Sequence, residues 1–580
     1  MISAVALFTT GLLAQSSVDI RYNQVGCYPQ QEKVIVVEGM NPKGKVRVTM
    51  PNGKTVKPKK QVRKAVSPWS GKTRYVIDLG ELTATGNYQV NVGNETCNLV
   101  VSDNPYHDIA KASLFFFYLM RSGIPIELGG KYNRPLGHPD TQVVVHNSAA
   151  SPLRPAGTVV SSPYGWYDAG DYNKYVVNSA FSIGLMFAAY EQKSNYFEAL
   201  HTGIPESGNH TPDLLDEMMF NLRWLLTMQD PADGGVYHKL TTPNFEDFIM
   251  PTDCKQQRYV VAKSVTASLD FAAVMADAAR LFEPIQHDYP GFAAIAAAVA
   301  ERAYQWAKEH PTAFYHQEQL KDPAVSTGGY GDGNAHDEFF WAASALYRLT
   351  GKQQYLDDAL QYKPQKFTTP SWGNVASLGA FEWLANMHAS NDTNTLPEAV
   401  LQLGVDMLDQ LIVFCDATIK SADTSCFQSS YGNSPRDFGW GCLAEHCCCQ
   451  ALALLYADEM TGTTKYRRYA MQNADYLLGR NATGYCYVTG FGEKSPMHPH
   501  HRPSEADGIE EPFPGMLVGG PNPGQQDKRV LPVPYPSNFP DESYLDLMQS
   551  YASNEIAINW NASLVSFLCW LDALPCLIPR

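Results

Sequence analysis

Two aspartates, Asp168 and Asp171, stand three residues apart in "WYDAGDYNKYVV", on either side of a small glycine-bearing turn. That spacing lets both carboxylates face one side. Near the far end of the chain a lone glutamate, Glu555, lies in "YASNEIAINW", with Ile556, Ile558 and Trp560 around it. Apolar neighbours disfavour a charged carboxylate and raise its pKa, which is what a general acid needs. A third stretch, "HPHHR", offers His500 and Arg502 to grip hydroxyls or a carboxylate. Carboxyl groups whose environments push their proton affinities apart can divide acid and base work between them. Each group also has a plainer reading. Asp171 can be the cap of a helix opening at "YNKYVV", Glu555 can sit at an exposed helix N-terminus, and "HPHHR" can be an ordinary loop.

The elements that must carry these groups fall into two parts. From residue 17 to 102 the text alternates in short strand-like runs such as "KVIVVEG", "KVRVTM" and "NYQVNVG", divided by turns such as "PNGK". Strands of this length and spacing predict a small all-β immunoglobulin-like sandwich. No aromatic row marks it as a carbohydrate platform, so it is expected to pack on the rest as a support. From residue 103 to 580 the period becomes helical, with roughly a dozen amphipathic segments between polar loops. Paired helices closed into a ring, an (α/α)6 barrel, would house them, and its loops at one end would build the site.

A chain of 580 residues with 44% hydrophobic content has material for two cores. Its net charge of -15 argues against a nucleic-acid or anionic-membrane partner, since both demand a basic face. The opening "MISAVALFTTGLLAQ" is expected to be a signal peptide over residues 1–16, although it lacks the usual positive start. No later run is apolar enough to span a membrane. The expected location is secreted, periplasmic or cell-surface, and the expected state a monomer. Cys447, Cys448 and Cys449 stand side by side in a helical pattern, so they diverge and read as packing residues.

Taken together, the three stretches resemble glycoside hydrolase family 9, the inverting cellulases with an N-terminal immunoglobulin-like domain. "YLDLMQSYASNEIAINWNAS" is similar to the family's acid-bearing signature, with Tyr544, Asp546, Tyr551, Glu555, Ala557, Asn561 and Ala562 in register. "VTGFGEKSPMHPHHR" resembles its histidine signature through Gly492, Lys494, Pro499, His500 and Arg502. "WYDAGDYNKYVVN" resembles its base-bearing loop, and "RYNQVG", "GGYGDGNAHDEFFWAAS" and "SPRDFGWG" extend the likeness over nearly the whole chain.

The resemblance implies endo-acting, inverting hydrolysis of β-1,4-glucosidic bonds in cellulose, mixed-linkage glucan or xyloglucan. Glu555 would be the acid, Asp171 the base, and Asp168 the holder of the attacking water. His500, Arg502 and Asp546 would bind substrate, and Trp440 and Tyr551 would offer aromatic platforms. An exo-acting β-glucosidase or glucosaminidase of the same fold is the alternative, and an inactive carbohydrate-binding protein the non-enzymatic one. No cofactor is required by this chemistry, and calcium, known in the family, has no local pattern here that would place it. Zinc is not expected, because His138 and His146 remain while Ser122 replaces the first cysteine. After "DFGWG" the chain departs from the family in Cys442, Leu443 and Ala444, which bears on specificity.

Overall fold

The computed structural model describes residues 18–57, 61–389 and 396–574. The leader expected over residues 1–16 lies outside them. Among the described residues eight strands come first: β1 (Asp19–Arg21), β2 (Val34–Glu38), β3 (Val46–Thr49), β4 (Thr55–Val56), β5 (Gln61–Val66), β6 (Thr73–Asp78), β7 (Gly86–Val92) and β8 (Glu95–Val101). They form two four-stranded sheets, ordered β1-β2-β6-β5 and β4-β3-β7-β8. β2 reads VIVVE and its first four residues are all buried. Ile35 and Val37 turn inward to Ile77, Val48, Tyr88 and Val90, the core of the sandwich. Val34, Val36 and Val76 turn the other way and join the core of the helical part. A strand that is apolar on both faces is one covered on both faces.

Polar ties reinforce that contact. Arg74 of β6, only 1% exposed, reaches Glu38 at 2.8 Å, Asp541 at 3.2 Å and Glu542 at 3.1 Å. The Tyr28 hydroxyl donates to the Leu571 carbonyl at 2.8 Å, and Asn23 and Gln31 both donate to Asp475. The sandwich is thus fixed to the helical part by apolar and charged contacts together.

The principal helices are α1 (His107–Leu119), α2 (Val176–Gln192), α3 (Asp213–Met228), α4 (Val265–Phe282), α5 (Phe292–Glu309) and α6 (His336–Thr350). After them come α7 (Gln353–Gln361), α8 (Ala376–Ala389), α9 (Glu398–Ile419), α10 (Cys449–Thr461), α11 (Arg467–Leu477) and α12 (Ile558–Asp572). The even-numbered helices form an inner ring and the odd-numbered ones an outer ring. α2 packs on α4, α4 on α6, α6 on α8, α10 on α12, and α12 back on α2. Phe381 of α8 stacks on Tyr456 of α10 with ring centroids 3.9 Å apart, which closes the circle. α2 is buried throughout from Val176 to Ala189, as a helix covered on every side must be. The molecule is an immunoglobulin-like sandwich followed by an (α/α)6 barrel. No helix among the described residues is long and apolar enough to cross a membrane.

A small sheet sits across the loops. Its strands are β9 (Val143–Val145), β10 (Val159–Val160), β11 (Lys174–Tyr175), β12 (Lys239–Thr241) and β13 (Tyr259–Val260), ordered β10-β9-β13-β12-β11. It corrects the expected helix start at "YNKYVV". Lys174 and Tyr175 pair with Leu240 and Lys239 as a strand, so α2 begins only at Val176, with Tyr175 as its cap residue. Asp171 therefore caps no helix. Among the described residues every cysteine is unpaired, and Cys447, Cys448 and Cys449 are all buried. Cys447 and Cys448 end a π-helical turn over Leu443–Cys448, and Cys449 opens α10.

Candidate active site

The backbone brings the separated stretches together before any side chain is considered. Ala169 bridges Ala557 in antiparallel fashion, and His500 bridges Glu555 in parallel. The Arg502 amide donates to the Gly170 carbonyl at 3.1 Å, and the His500 amide to the Asn554 carbonyl at 2.9 Å. Gly170 is required by this crossing: a Cβ there would overlap the His500 carbonyl and lie 2.8 Å from ring atom Cδ2. The glycine between the two aspartates is thus the contact point with the histidine loop.

Asp168 and Asp171 are both buried, at 2% and 4% exposure. Asp168 accepts from Asn178 Nδ2 through Oδ1 and from the Tyr330 hydroxyl through Oδ2, each at 2.7 Å. Burial, then the charge of Asp171, pushes its pKa well above the aspartate range. Asp171 Oδ2 accepts from Asn173 Nδ2 at 2.5 Å and from the Tyr175 hydroxyl at 3.1 Å. Those two bonds hold one oxygen of the carboxylate in place.

Glu555 follows the short helix Tyr551–Asn554 and precedes α12, so it lies in an extended break and not at an exposed helix start. Its carbonyl accepts from the Gly519 amide at 2.9 Å. Burial raises its pKa well above the glutamate range, the Asp171 charge adds to this, and Arg502 opposes it. Proton affinities of this order suit an acid that keeps its proton at neutral pH.

A cleft of about 490 Å³ joins the three carboxyls, within the roughly 300–1,000 Å³ usual for ligand sites. Aromatic side chains line it: Phe245, Tyr330, Trp372 and Trp440 from separate loops, and Trp560 from the first turn of α12. Trp440 is 44% exposed, an open ring face beside the carboxyls. Tyr551 stands beside it with ring centroids 5.6 Å apart, and His500 lies 5.9 Å from Tyr551.

Other expected substrate contacts occupy bracing positions. Asp546 does not line the cleft. Its oxygens accept from the amides of Met497 and His498 at 2.9 Å and from Asn554 at 3.1 Å, so it pins the histidine loop. Arg502 is 6% exposed, and its guanidinium donates to the carbonyls of Glu246 and Gly170 at 2.7 Å. His500 donates to the Met548 carbonyl at 2.7 Å, and burial lowers its pKa to about 4, leaving the ring neutral.

Several residues at the cleft escaped the sequence reading. Tyr330, in the left-handed region with φ 47°, delivers its hydroxyl to Asp168 and packs against Tyr175 and Trp372. The glycines around it in "GGYGDG" are the one local signal of that turn. Lys239 is fully buried and donates to Gln317, Thr327 and the Gly328 carbonyl. Burial drags its pKa down to about 7 while the charges of Asp171 and Asp168 pull it up. Glu445 and Asn559 also line the cleft.

His138 and His146 do not meet. His138 Nδ1 bonds the Tyr167 hydroxyl at 3.0 Å, while His146 is held by Ser148 and the Pro323 carbonyl. Among the described residues one group has the makings of a metal ligand set, the surface trio His210, His287 and Asp288.

Comparison with known proteins identifies the family. The glycosyl hydrolase family 9 model matches residues 106–568, and the cellulase N-terminal ig-like domain model matches residues 15–97. The chain belongs to glycosyl hydrolase family 9 and is a glycosidase. It is 52% identical over 560 residues to the xyloglucan-specific endo-beta-1,4-glucanase BoGH9A of Bacteroides ovatus, covering 96% of this chain and 94% of that one. Endoglucanase D of Acetivibrio thermocellus is 32% identical over 503 residues, 85% of this chain and 74% of the relative. The solved Bacteroides ovatus GH9 structure superposes with a TM-score of 0.91 at 51% identity, covering 96% and 99% of the two chains. AaCel9A, solved with a cellobiose-like isofagomine, gives 0.81 at 30% identity, covering 96% and 100%.

Proposed function

We propose that this enzyme cleaves internal β-1,4-glucosidic bonds of a β-glucan with inversion, and that xyloglucan is its foremost substrate. The observation that carries this is the meeting of Glu555 with Asp168 and Asp171 in one aromatic-lined cleft. In this mechanism Asp171, ionised and aligned by Asn173 and Tyr175, takes a proton from water as its oxygen attacks the anomeric carbon. The glycosidic C–O bond breaks on the opposite face, and Glu555 gives its proton to the leaving oxygen. Asp168 holds the same water and is itself held by Asn178 and Tyr330. Trp440 and its neighbours bind sugar rings by their C–H faces. The chemistry calls for no cofactor. The xyloglucan preference rests on likeness to the Bacteroides ovatus enzyme. The apolar leader and a polymeric substrate support a location outside the cytoplasm, which cell fractionation tests.

Product profiles on xyloglucan, mixed-linkage glucan, carboxymethyl cellulose and chitosan oligomers test the reading. Early oligomers of mixed length, released as the α-anomer in NMR, are expected, with xyloglucan the fastest. Monomers alone would establish the exo-acting alternative. Unchanged turnover in Glu555→Gln would remove the assignment.

A further inference from the structure

Beside the acid the cleft wall carries polar groups that the proposed mechanism leaves unused. Immediately after Trp440 and Gly441, the chain enters the π-helical turn Leu443–Cys448. Such turns are rare and frequently mark functional sites. Gly441, at φ +68°, lets this segment press on Trp560, where a Cβ would lie 2.5 Å from the indole nitrogen. The turn places Glu445 in the cleft with Trp440, Glu555, Asn559 and Trp560.

Two features separate these groups from packing. The half-buried carboxylate of Glu445 has no hydrogen-bond or ion-pair partner among the described residues. Burial alone acts on it and pushes its pKa up to about 7. Asn559 is 3% exposed, and its Oδ1 has no partner either. Buried polar groups are ordinarily hydrogen-bonded, and leaving them unsatisfied is costly. Two groups left open in the lining of one cleft are therefore acceptors awaiting donors from a ligand.

We propose that Glu445 and Asn559 form a hydroxyl-binding wall that takes neighbouring hydroxyls of a sugar unit held between Trp440 and Trp560, and so selects the sugar bound beside the acid. The inference rests on the β-glucan reading of the cleft. Sugar hydroxyls would donate to the carboxylate and to Asn559 Oδ1, and accept from Asn559 Nδ2. A site built to bond a hydroxyl strongly rejects an analogue lacking it, because its own buried groups are then unpaired.

The test uses the full chain in two settings. In the active enzyme, Glu445→Ala and Asn559→Ala are expected to raise KM for cellotetraose about tenfold or more, with kcat within about threefold; Glu445→Gln, which keeps the shape, should lie between. In the non-hydrolysing Glu555→Gln background, calorimetry with cellotetraose and its monodeoxy analogues reads binding directly. Glu445→Ala should weaken cellotetraose about tenfold, yet leave unchanged the binding of the one analogue that lacks the partner hydroxyl. Equal weakening across all analogues, or a KM and affinity within twofold of the parent in both the alanine and glutamine variants, would overturn the wall. Melting curves of each variant separate misfolding from lost contact. A parent enzyme that hydrolyses no β-glucan would refute the function above, whereas the calorimetric pattern would still decide the wall.

Discussion

The carbonyl oxygen of Asp168 accepts the amide hydrogen of Ile558 at 2.8 Å. One of the first free amides of α12 is thereby satisfied by the backbone of the aspartate loop. Glu555 lies just ahead of that amide, so the position of the proposed acid is set by the strand of chain that holds the proposed base. With the Ala169–Ala557 bridge beside it, the aspartate loop and the Glu555 segment form one backbone unit.

As the proposed acid, Glu555 acts in its protonated form, so activity should fall as pH rises through its elevated pKa, giving the basic limb of the profile. Part of that elevation comes from the charge of Asp171. Asp171→Asn should therefore lower the pKa of Glu555 while reducing turnover by about 100-fold or more. Carboxyl titration by 13C NMR checks the shift. An unchanged or raised value would contradict it.

Gly170→Ala should cost both activity and stability. The added methyl meets the His500 backbone, which cannot yield without moving the histidine loop. Overpacking of this kind costs roughly 1–3 kcal/mol. Chemical denaturation should register that loss, and turnover should drop with it. Wild-type values for both would mean the loops are not in contact.

Lys239→Met removes a buried lysine that interacts electrostatically with both aspartates. The charge of Lys239 favours ionised Asp168, so its loss should raise the pKa of Asp168 further. Since Asp168 holds the attacking water as a carboxylate in the proposed mechanism, the acidic limb of the pH–rate profile should then move to higher pH, and each unit of displacement cuts the rate on that limb about tenfold. A profile that merely scales down with both limbs in place would mark Lys239 as structural only.

Arg74→Met should destabilise the protein by roughly 3–5 kcal/mol, because it strands buried carboxylates at the junction of sandwich and barrel. Burial would raise the pKa of Glu38, but its bond to Arg74 prevails and holds the value below the usual glutamate range. The stability this contributes is present above the unfolded pKa and is lost as pH falls through the folded one. Denaturation midpoints between pH 7 and pH 3 should show that loss in the parent and a flatter response in the variant.

Much of the architecture is legible because periodicity is local: "NYQVNVG" alternates over a few residues, and "VVNSAFSIGLMFAAY" is apolar over several turns. The start of α2 was misjudged for the same reason. Lys174 and Tyr175 are drawn into a strand by β12, a partner that no nearby residue announces. The carboxyls stood out through their residue type and setting. Tyr330, Asn178 and Lys239 did not, since each acquires its meaning from a neighbour brought in by the fold. Asp546 shows the converse: a residue conspicuous in sequence that serves the loop and leaves the cleft to others.

β2 belongs to two cores at once, with Ile35 and Val37 in the sandwich and Val34 and Val36 against the barrel. Cutting the chain between the two parts would therefore not release two modules. It would bare an apolar stripe on each fragment, of the kind that drives aggregation. For protein engineering the unit of exchange is the whole chain, and in a melting experiment the sandwich and barrel should come apart in a single cooperative step.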